Sequence, residues 1–238
     1  MASILADLTA EYLSSIEPPA DALVEEMEAH ARRESIPIAA REVATLQRLL
    51  AIAMDADRVL EFGTAIGYSA IQVARTGCEV VTMEVDEERI EAARGYAERD
   101  GVADRLDIHE RPALEALEDV EGPFDLAFLD AVKTEYPRYL ERALPMLRTG
   151  GVVIVDNALW GGDVPEAYAI GGADVDGTPI GEPSDATPDD TADAGADASS
   201  SPATETLLAF NHAFVHHPDL EAVVTPIDDG TGIGVKRP

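Results

Sequence analysis

The chain of 238 residues carries 47 acidic and 17 basic side chains, for a formal net charge of -30. This length fits one large α/β domain or two small ones, and either can bury a substantial core. Only two of the basic residues are lysines, Lys133 and Lys236. Excess carboxylate with arginine in place of lysine favours adaptation to a salt-rich cytoplasm, where screening suppresses self-repulsion; a merely acidic mesophilic protein is the alternative. Nucleic acid is disfavoured as a partner because the sequence has no basic stripe to neutralise phosphates.

The single cysteine, Cys78, excludes a disulfide framework and a cysteine-based zinc site. The first residues carry acids where a signal peptide needs lysine or arginine, and no apolar run reaches the roughly 18 residues of a membrane span. We therefore expect a soluble cytoplasmic protein that does not associate with membranes.

A helical region is predicted over residues 1–54, from helical patterns near 3–16, 20–33 and 40–54. Beyond it, short apolar runs alternate with helical patterns, which is typical of βαβ units and a parallel sheet. The expected strands end on glycine or on an acid: "DRVLEFG", "EVVTMEV", "RLDIHE", 124–130 and 151–156. Four helices are expected between them. The first is "YSAIQVAR", and the second is capped by Asp86 and ends at Gly101. The third covers 113–118, and the fourth covers about 134–147.

The segment 171–206 breaks this alternation. It contains no aromatic and no basic residue, so it lacks the apolar surface needed to offset its ordering entropy and is predicted to be a disordered acidic insertion. "LLAFNHAFVHH" then resumes as a helix capped near Ser201 to Thr204. The chain closes on two strands joined through Asp228, Asp229 and Gly230, a turn suited to an antiparallel hairpin.

The first chemical motif is "VLEFGTAIGYSA" at 59–70, between the first predicted strand and helix. Gly63 and Gly67 would let the backbone approach a ligand, yet the spacing fits neither the dinucleotide nor the P-loop motif. Glu84 ends the next strand, where an acid commonly holds ribose hydroxyls. The pattern favours a nucleoside-containing ligand; a tight turn without a ligand is the alternative.

The second motif consists of oxygen-bearing side chains at two strand ends: Asp130 in "FLDAVK" and Asp156 with Asn157 in "VIVDNALWGG". The carboxyl ends of neighbouring parallel strands open into one crevice, so these side chains are expected to converge. Carboxylate and amide oxygens suit Mg²⁺ or Ca²⁺. The alternative is that Asp130 caps a helix and Asp156 begins a turn.

Four stretches together resemble the magnesium-dependent O-methyltransferases of the catechol and caffeoyl-CoA type: "LEFGTAIGYS", "MEVDEERIEAAR", "GPFDLAFLDAVKTEYPRYLERALPMLRTGGVVIVDNALWGGDV" and "PIDDGTGIGVK". The resemblance covers roughly residues 36–165 and 205–237. It implies one methyltransferase domain over 1–238, with a Rossmann-like, doubly wound α/β fold. The expected sheet has seven mostly parallel strands, helices on both faces and a C-terminal antiparallel hairpin.

The resemblance also assigns roles to individual residues. It implies S-adenosylmethionine as cofactor, held by Ile38, Glu61, Gly63, Tyr68, Ser69, Glu84, Pro112, Ala113 and Asp130. It implies Mg²⁺, or Mn²⁺ or Ca²⁺ in its place, held by Asp130, Asp156 and Asn157, with Lys133 as the base. Arg111, Pro112 and Ala113 stand where the family commonly has glycine, aspartate and alanine, so the adenine contact is expected to rest on backbone.

The expected reaction is methyl transfer to one of two adjacent oxygens of a small hydroxylated acceptor, with Lys133 accepting the proton. Trp160 either walls the acceptor pocket or is an ordinary packing aromatic. The acceptor could be a catechol, a CoA-linked phenol or a hydroxylated tRNA base. An NAD(P)-dependent oxidoreductase and a non-catalytic nucleoside-binding protein are the rival classes. A homodimer is also expected.

Overall fold

Helices and strands alternate along the computed structural model, which describes residues 7–171 and 201–238. The helices of this described part are α1 Asp7–Ile16, α2 Ala22–Glu34, α3 Arg41–Ala53, α4 Tyr68–Ala74, α5 Glu87–Asp100, α6 Ala113–Ala116, α7 Tyr136–Met146, α8 Asp163–Gly171 and α9 Pro202–Val215. Its strands are β1 Arg58–Phe62, β2 Glu79–Glu84, β3 Leu106–Glu110, β4 Phe124–Leu129, β5 Leu147–Val155, β6 Leu220–Thr225 and β7 Thr231–Lys236.

The seven described strands form one sheet in the order β3-β2-β1-β4-β5-β7-β6. The first five in this order run parallel, and β7 pairs antiparallel with both β5 and β6. The strand order reverses between β1 and β4, which is where such sheets bind ligands, in the crevice at the carboxyl ends of the strands. The predicted fold class is confirmed, including the antiparallel hairpin at the C-terminus.

Both faces of the sheet are covered, which explains why its central strands read as continuous apolar runs. Val59 and Leu60 are neighbours on β1, yet they belong to two separate clusters of buried side chains. The first cluster lies against α2 to α5, with α3 packed on α4. The second lies against α6, α7 and α9.

Capping residues define the ends of two helices, α5 and α9, as predicted. Asp86 caps α5 through hydrogen bonds from the backbone of Glu88 and Arg89, and Gly101 ends that helix with a φ of 76°. Ser201 caps α9, because its hydroxyl accepts a hydrogen bond from the Thr204 backbone at 3.1 Å.

Three predicted boundaries were wrong. β5 begins at Leu147 rather than at residue 151, because Leu147 already pairs with Phe124; extra residues in β5 then shift the register before the next pair, Leu126 with Val152. One turn of 3-10 helix, Lys133–Glu135, precedes α7, which begins only at Tyr136.

The third wrong boundary concerns the predicted disordered insertion, 171–206. Gly171 is the last residue of α8, and residues 202–206 form the start of α9. The rest of that segment, 172–200, lies outside the described residues. None of the helices in the described ranges has the length and apolar character needed to cross a bilayer.

Candidate active site

The loop after β1 presses against the end of β4. Gly63 has a φ of 97°, and a Cβ atom built on it would overlap the carbonyl oxygen of Asp130. The backbone N–H of Asp130 donates to the carbonyl of Phe62 at 3.0 Å. Only glycine tolerates both this positive φ and this close contact at position 63. The loop 63–67, called the glycine loop below, therefore fixes where Asp130 leaves the sheet.

Glu61 lies below this loop, with 1% of its surface exposed. Its two carboxylate oxygens accept hydrogen bonds from the hydroxyls of Ser69, at 2.5 Å, and Thr82, at 2.7 Å. Burial is the main reason that the pKa of Glu61 rises to about 7. Because Glu61 is buried, it does not line the crevice itself. It acts there by holding the side chains that surround it, including that of Ser69.

Glu84 lies at the carboxyl end of β2 and faces the same loop. One carboxylate oxygen accepts the backbone N–H of Ala65 at 2.9 Å, and the other accepts that of Val85 at 2.8 Å. The acid is thus held beside the glycine loop, at the position where doubly wound folds place a ribose.

Ile38 and Tyr68 lie together along an open cleft of about 530 Å³. The cleft is formed by the end of α2, the segment 35–40 and Tyr68. The Tyr68 phenol donates to Glu28 at 2.8 Å, and burial is the main reason that the pKa of Tyr68 rises to about 12. The phenol is therefore tied to α2, which connects the helical region to the glycine loop.

Pro112 and Ala113 follow β3, at the outer end of the crevice. Pro112 is exposed, and its carbonyl accepts the backbone N–H of Ala116 at 2.9 Å. Ala113 begins α6 and packs against the second cluster of buried side chains. Both residues thus offer backbone and apolar surface rather than charge at this end.

Lys133 lies just beyond β4, with only 11% of its side chain exposed. Its Nζ atom donates to Oδ1 of Asp130 and to the Tyr136 hydroxyl, each at 2.8 Å. Tyr136 is fully buried, and its hydroxyl donates in turn to the backbone carbonyl of Asp156 at 3.2 Å. The amine lies 5.7 Å from the centre of the Trp160 ring. This network joins the end of β4 to the end of β5.

Asp156 follows β5 and has 1% of its surface exposed. Burial, and next the negative charge of Asp130, holds the pKa of Asp156 well above its usual range. Asn157 adopts a left-handed backbone conformation with a φ of 54°, and its N–H donates to Asp156 Oδ1 at 2.8 Å. The structure therefore brings Asp130, Asp156 and Asn157 to one edge of the sheet.

Two further acids at this edge were missed from the sequence. They are Asp228 and Asp229, in the β6–β7 turn. One carboxylate oxygen from each of them and one from Asp156 all lie within 4.8 Å of one another. Burial is the main reason that the pKa values of Asp228 and Asp229 are raised. From its residues, "IDDG" predicts a hairpin turn, and within "PIDDGTGIGVK" it contributes to the family resemblance without a ligand role; its position beside strands that end on oxygen-bearing side chains is the signal that points to one.

The crevice thus combines a glycine loop, an acid beside it, a carboxylate-rich edge and one amine. Such a set of oxygens can hold a hard divalent cation. A lysine beside it can accept a proton from a bound hydroxyl. Trp160, beside that amine, is partly buried and packs against the second cluster of buried side chains.

A family model described as O-methyltransferase matches residues 12–173. A catechol O-methyltransferase of Mycobacterium tuberculosis is 43% identical over 120 residues, which cover 49% of this chain and 54% of that protein. Caffeoyl-CoA O-methyltransferase 1 of Zea mays is 36% identical over 118 residues, 46% of each chain. The chain therefore spans about half the length of the curated relatives it matches.

The similarity in structure extends over the whole fold. The crystal structure of an O-methyltransferase from Bacillus cereus in complex with SAH has a TM-score of 0.73 and 26% sequence identity, covering 97% of both chains.

Proposed function

Because the chain belongs to the O-methyltransferase family, we propose that it transfers the methyl group of S-adenosylmethionine to a hydroxyl oxygen of a small, metal-chelating acceptor. The observation that carries this proposal is the position of Lys133. Its amine touches Asp130 at the switch point of the sheet and lies near Trp160 on the rim. A base is thus held where a cofactor and an acceptor would meet.

The residues around the glycine loop fit the cofactor. Gly63 leaves no side chain at the start of the loop, and Glu84 would accept hydrogen bonds from the ribose hydroxyls. Ser69, backed by Glu61, would face the methionine end, with Tyr68 and Ile38 on the α2 side. Pro112 and Ala113 would border the adenine, through backbone and apolar contacts.

The donor set at the β5 end fits a hard divalent cation such as Mg²⁺. Burying Asp156 beside Asp130 is costly without a compensating positive charge, as the raised pKa of Asp156 reflects. Asp130, Asp156 and the amide oxygen of Asn157 would hold the cation. A bound divalent cation would lower the pKa of the acceptor hydroxyl and hold two adjacent acceptor oxygens.

Lys133 would accept the hydroxyl proton, and the acceptor oxygen would then bond to the methyl carbon as the sulfur–methyl bond breaks and S-adenosylhomocysteine leaves. Tyr136 and Asp130 fix the amine by hydrogen bonds, so little reorganisation is needed at the moment of transfer. Trp160 would cover one side of the acceptor and exclude water.

Catechol-like molecules are the acceptor class that we propose, because two adjacent oxygens suit a chelating site. A hydroxyuridine of tRNA stays an alternative within the family, disfavoured by the net charge of -30. The cytoplasmic location, the salt adaptation and the homodimer stay predictions of the sequence.

Calorimetry separates this proposal from the two rival classes. We expect S-adenosylhomocysteine to bind and NADH not to bind. Binding of NADH alone would favour an oxidoreductase. Binding of S-adenosylhomocysteine without methyl transfer to any hydroxylated acceptor would favour a nucleoside-binding protein.

A further inference from the structure

Asp229, in the turn of the C-terminal hairpin, holds the side chain of Asn157. The amide nitrogen of Asn157 donates to both carboxylate oxygens of Asp229, at 2.9 and 3.0 Å. The two residues are 72 positions apart in the sequence. A carboxylate only accepts hydrogen bonds, so it selects the nitrogen end of the amide.

The backbone of the same turn is locked to the segment after Asn157. Ala158 N–H donates to the Gly230 carbonyl at 2.8 Å, and Leu159 N–H donates to the Asp229 carbonyl at 2.9 Å. A Cβ atom on Gly230 would come within 2.5 Å of the Leu159 side chain. The glycine therefore permits a close approach, which holds Asp229 at a fixed distance from Asn157.

This contact determines which way the Asn157 amide faces. Its nitrogen is occupied by Asp229, and its backbone N–H by Asp156 at 2.8 Å. The amide oxygen lies at the opposite end of the group, and no hydrogen bond among the described residues engages it, so it is available as a ligand. Without Asp229 the amide could rotate and present its nitrogen, which cannot bind a cation.

We propose that Asp229 is a positioning residue that presents the amide oxygen of Asn157 to the divalent cation, so that the C-terminal hairpin completes the metal centre. The inference rests on the proposed metal site. Residues that orient metal ligands typically change metal affinity about 10- to 100-fold when they are replaced.

Asp228 supplies a matched control for charge. It lies in the same turn, and its carboxylate belongs to the same acidic group as those of Asp156 and Asp229. Among the hydrogen bonds of the described residues, none joins Asp228 to Asn157. Asp228 has a φ of 51°, a conformation that asparagine tolerates well, so Asp228→Asn removes one charge without straining the turn.

The experiment measures Mn²⁺ binding to the otherwise metal-free protein, by electron paramagnetic resonance of free Mn²⁺. We expect Asp229→Asn and Asp229→Ala to weaken binding about 10- to 100-fold. Asp228→Asn should weaken Mn²⁺ binding by less than about 3-fold, because it removes only a charge, whose effect salt screens. Unchanged affinity for S-adenosylhomocysteine in each variant verifies the fold.

A double-mutant cycle then tests the pairing. Asn157→Gly removes the amide and suits the left-handed backbone. In that background we expect Asp229→Asn to cause no loss of Mn²⁺ affinity beyond the less than about 3-fold effect of the lost charge, because no amide is left to orient. The positioning role would be overturned if Asp228→Asn and Asp229→Asn lowered Mn²⁺ affinity equally. It would also be overturned if Asp229→Asn caused its full loss of Mn²⁺ affinity in the Asn157→Gly background. Either result would leave the proposed metal site itself standing. A native chain that binds no Mn²⁺ would overturn the metal site as well.

Discussion

Lys133 and Asp130 are joined by a hydrogen bond of 2.8 Å between the amine and one carboxylate oxygen, where β4 meets the crevice. The amine has a second acceptor in the Tyr136 hydroxyl, which is itself anchored to the end of β5. Asp130 therefore belongs both to the contacts of the proposed base and to the proposed cation site. A change at Lys133 should affect proton transfer more than cofactor binding.

We expect Lys133→Arg and Lys133→Ala each to lower kcat by about 10²- to 10⁴-fold while leaving cofactor affinity nearly unchanged. Arginine keeps the charge but does not lose its proton, whereas lysine can. Steady-state kinetics across pH provide the measurement. A nearly native Lys133→Arg enzyme would refute the base role.

The other lysine provides the control. Lys236 donates to the carbonyls of Leu144 and Leu147, at 2.8 and 2.7 Å, well away from the crevice residues in the fold. Lys236→Arg keeps a cationic donor there, so kcat should stay close to that of the native chain.

For the cofactor, we expect Glu84→Ala to weaken S-adenosylhomocysteine by about 1.5–3 kcal/mol, the range for hydrogen bonds to a charged group. Titration calorimetry measures the affinity. Glu110 ends the neighbouring strand and pairs with Arg94, so Glu110→Ala is the matched control and should bind normally. Unchanged affinity in the Glu84 variant would remove this residue from the ribose site.

The glycine loop makes a prediction about stability. Alanine at position 63 would need a φ of 97° and would overlap the Asp130 carbonyl, so Gly63→Ala should destabilise the fold by more than about 2 kcal/mol. Gly95 lies within α5, with nothing within 4 Å of an added Cβ. Gly95→Ala should therefore stabilise the helix by up to about 1 kcal/mol. Denaturant unfolding of both variants tests this pair, and equal effects would contradict the close approach at Gly63.

The pKa of Glu61 predicts a pH dependence of stability. Burial raises this pKa from 4.5 to about 7, so between these values the folded state binds more protons than the unfolded state. The contribution of Glu61 is fully present below pH 4.5 and decreases as the pH rises to about 7. The shift corresponds to about 3 kcal/mol.

Comparing the native chain with Glu61→Gln isolates this effect from the many other acids. The native chain should lose stability relative to the variant as the pH rises through that window, and the difference should then level off. A difference in unfolding free energy that does not change with pH would show that Glu61 is not buried as a carboxyl group.

The sequence predicts the sheet well because each central strand is a buried run bounded by glycine or by a helix cap. The end of β4 at Asp130 and the end of β5 at Asp156 follow from that pattern, and parallel pairing brings them together. The family resemblance is confirmed by the match over residues 12–173.

Long-range contacts of turn residues could not be predicted in the same way. Asp229 suits a hairpin turn by local conformation alone, so nothing in its own neighbourhood signals the contact with Asn157. The early start of β5 depends on a register shift between β4 and β5, and the tie between Tyr68 and Glu28 depends on how α2 packs. Such features arise from tertiary packing.

Metal-dependent methyl transfer to a catechol can be measured directly. Labelled S-adenosylmethionine is incubated with a panel of catechols in about 2 M KCl, a salt level that screens the acidic surface, with Mg²⁺ or with excess EDTA. We expect a product methylated on one of two adjacent hydroxyls, which is lost in EDTA and restored by added Mg²⁺. Equal methyl transfer in EDTA, or no transfer to any catechol by protein that binds S-adenosylhomocysteine, would contradict it.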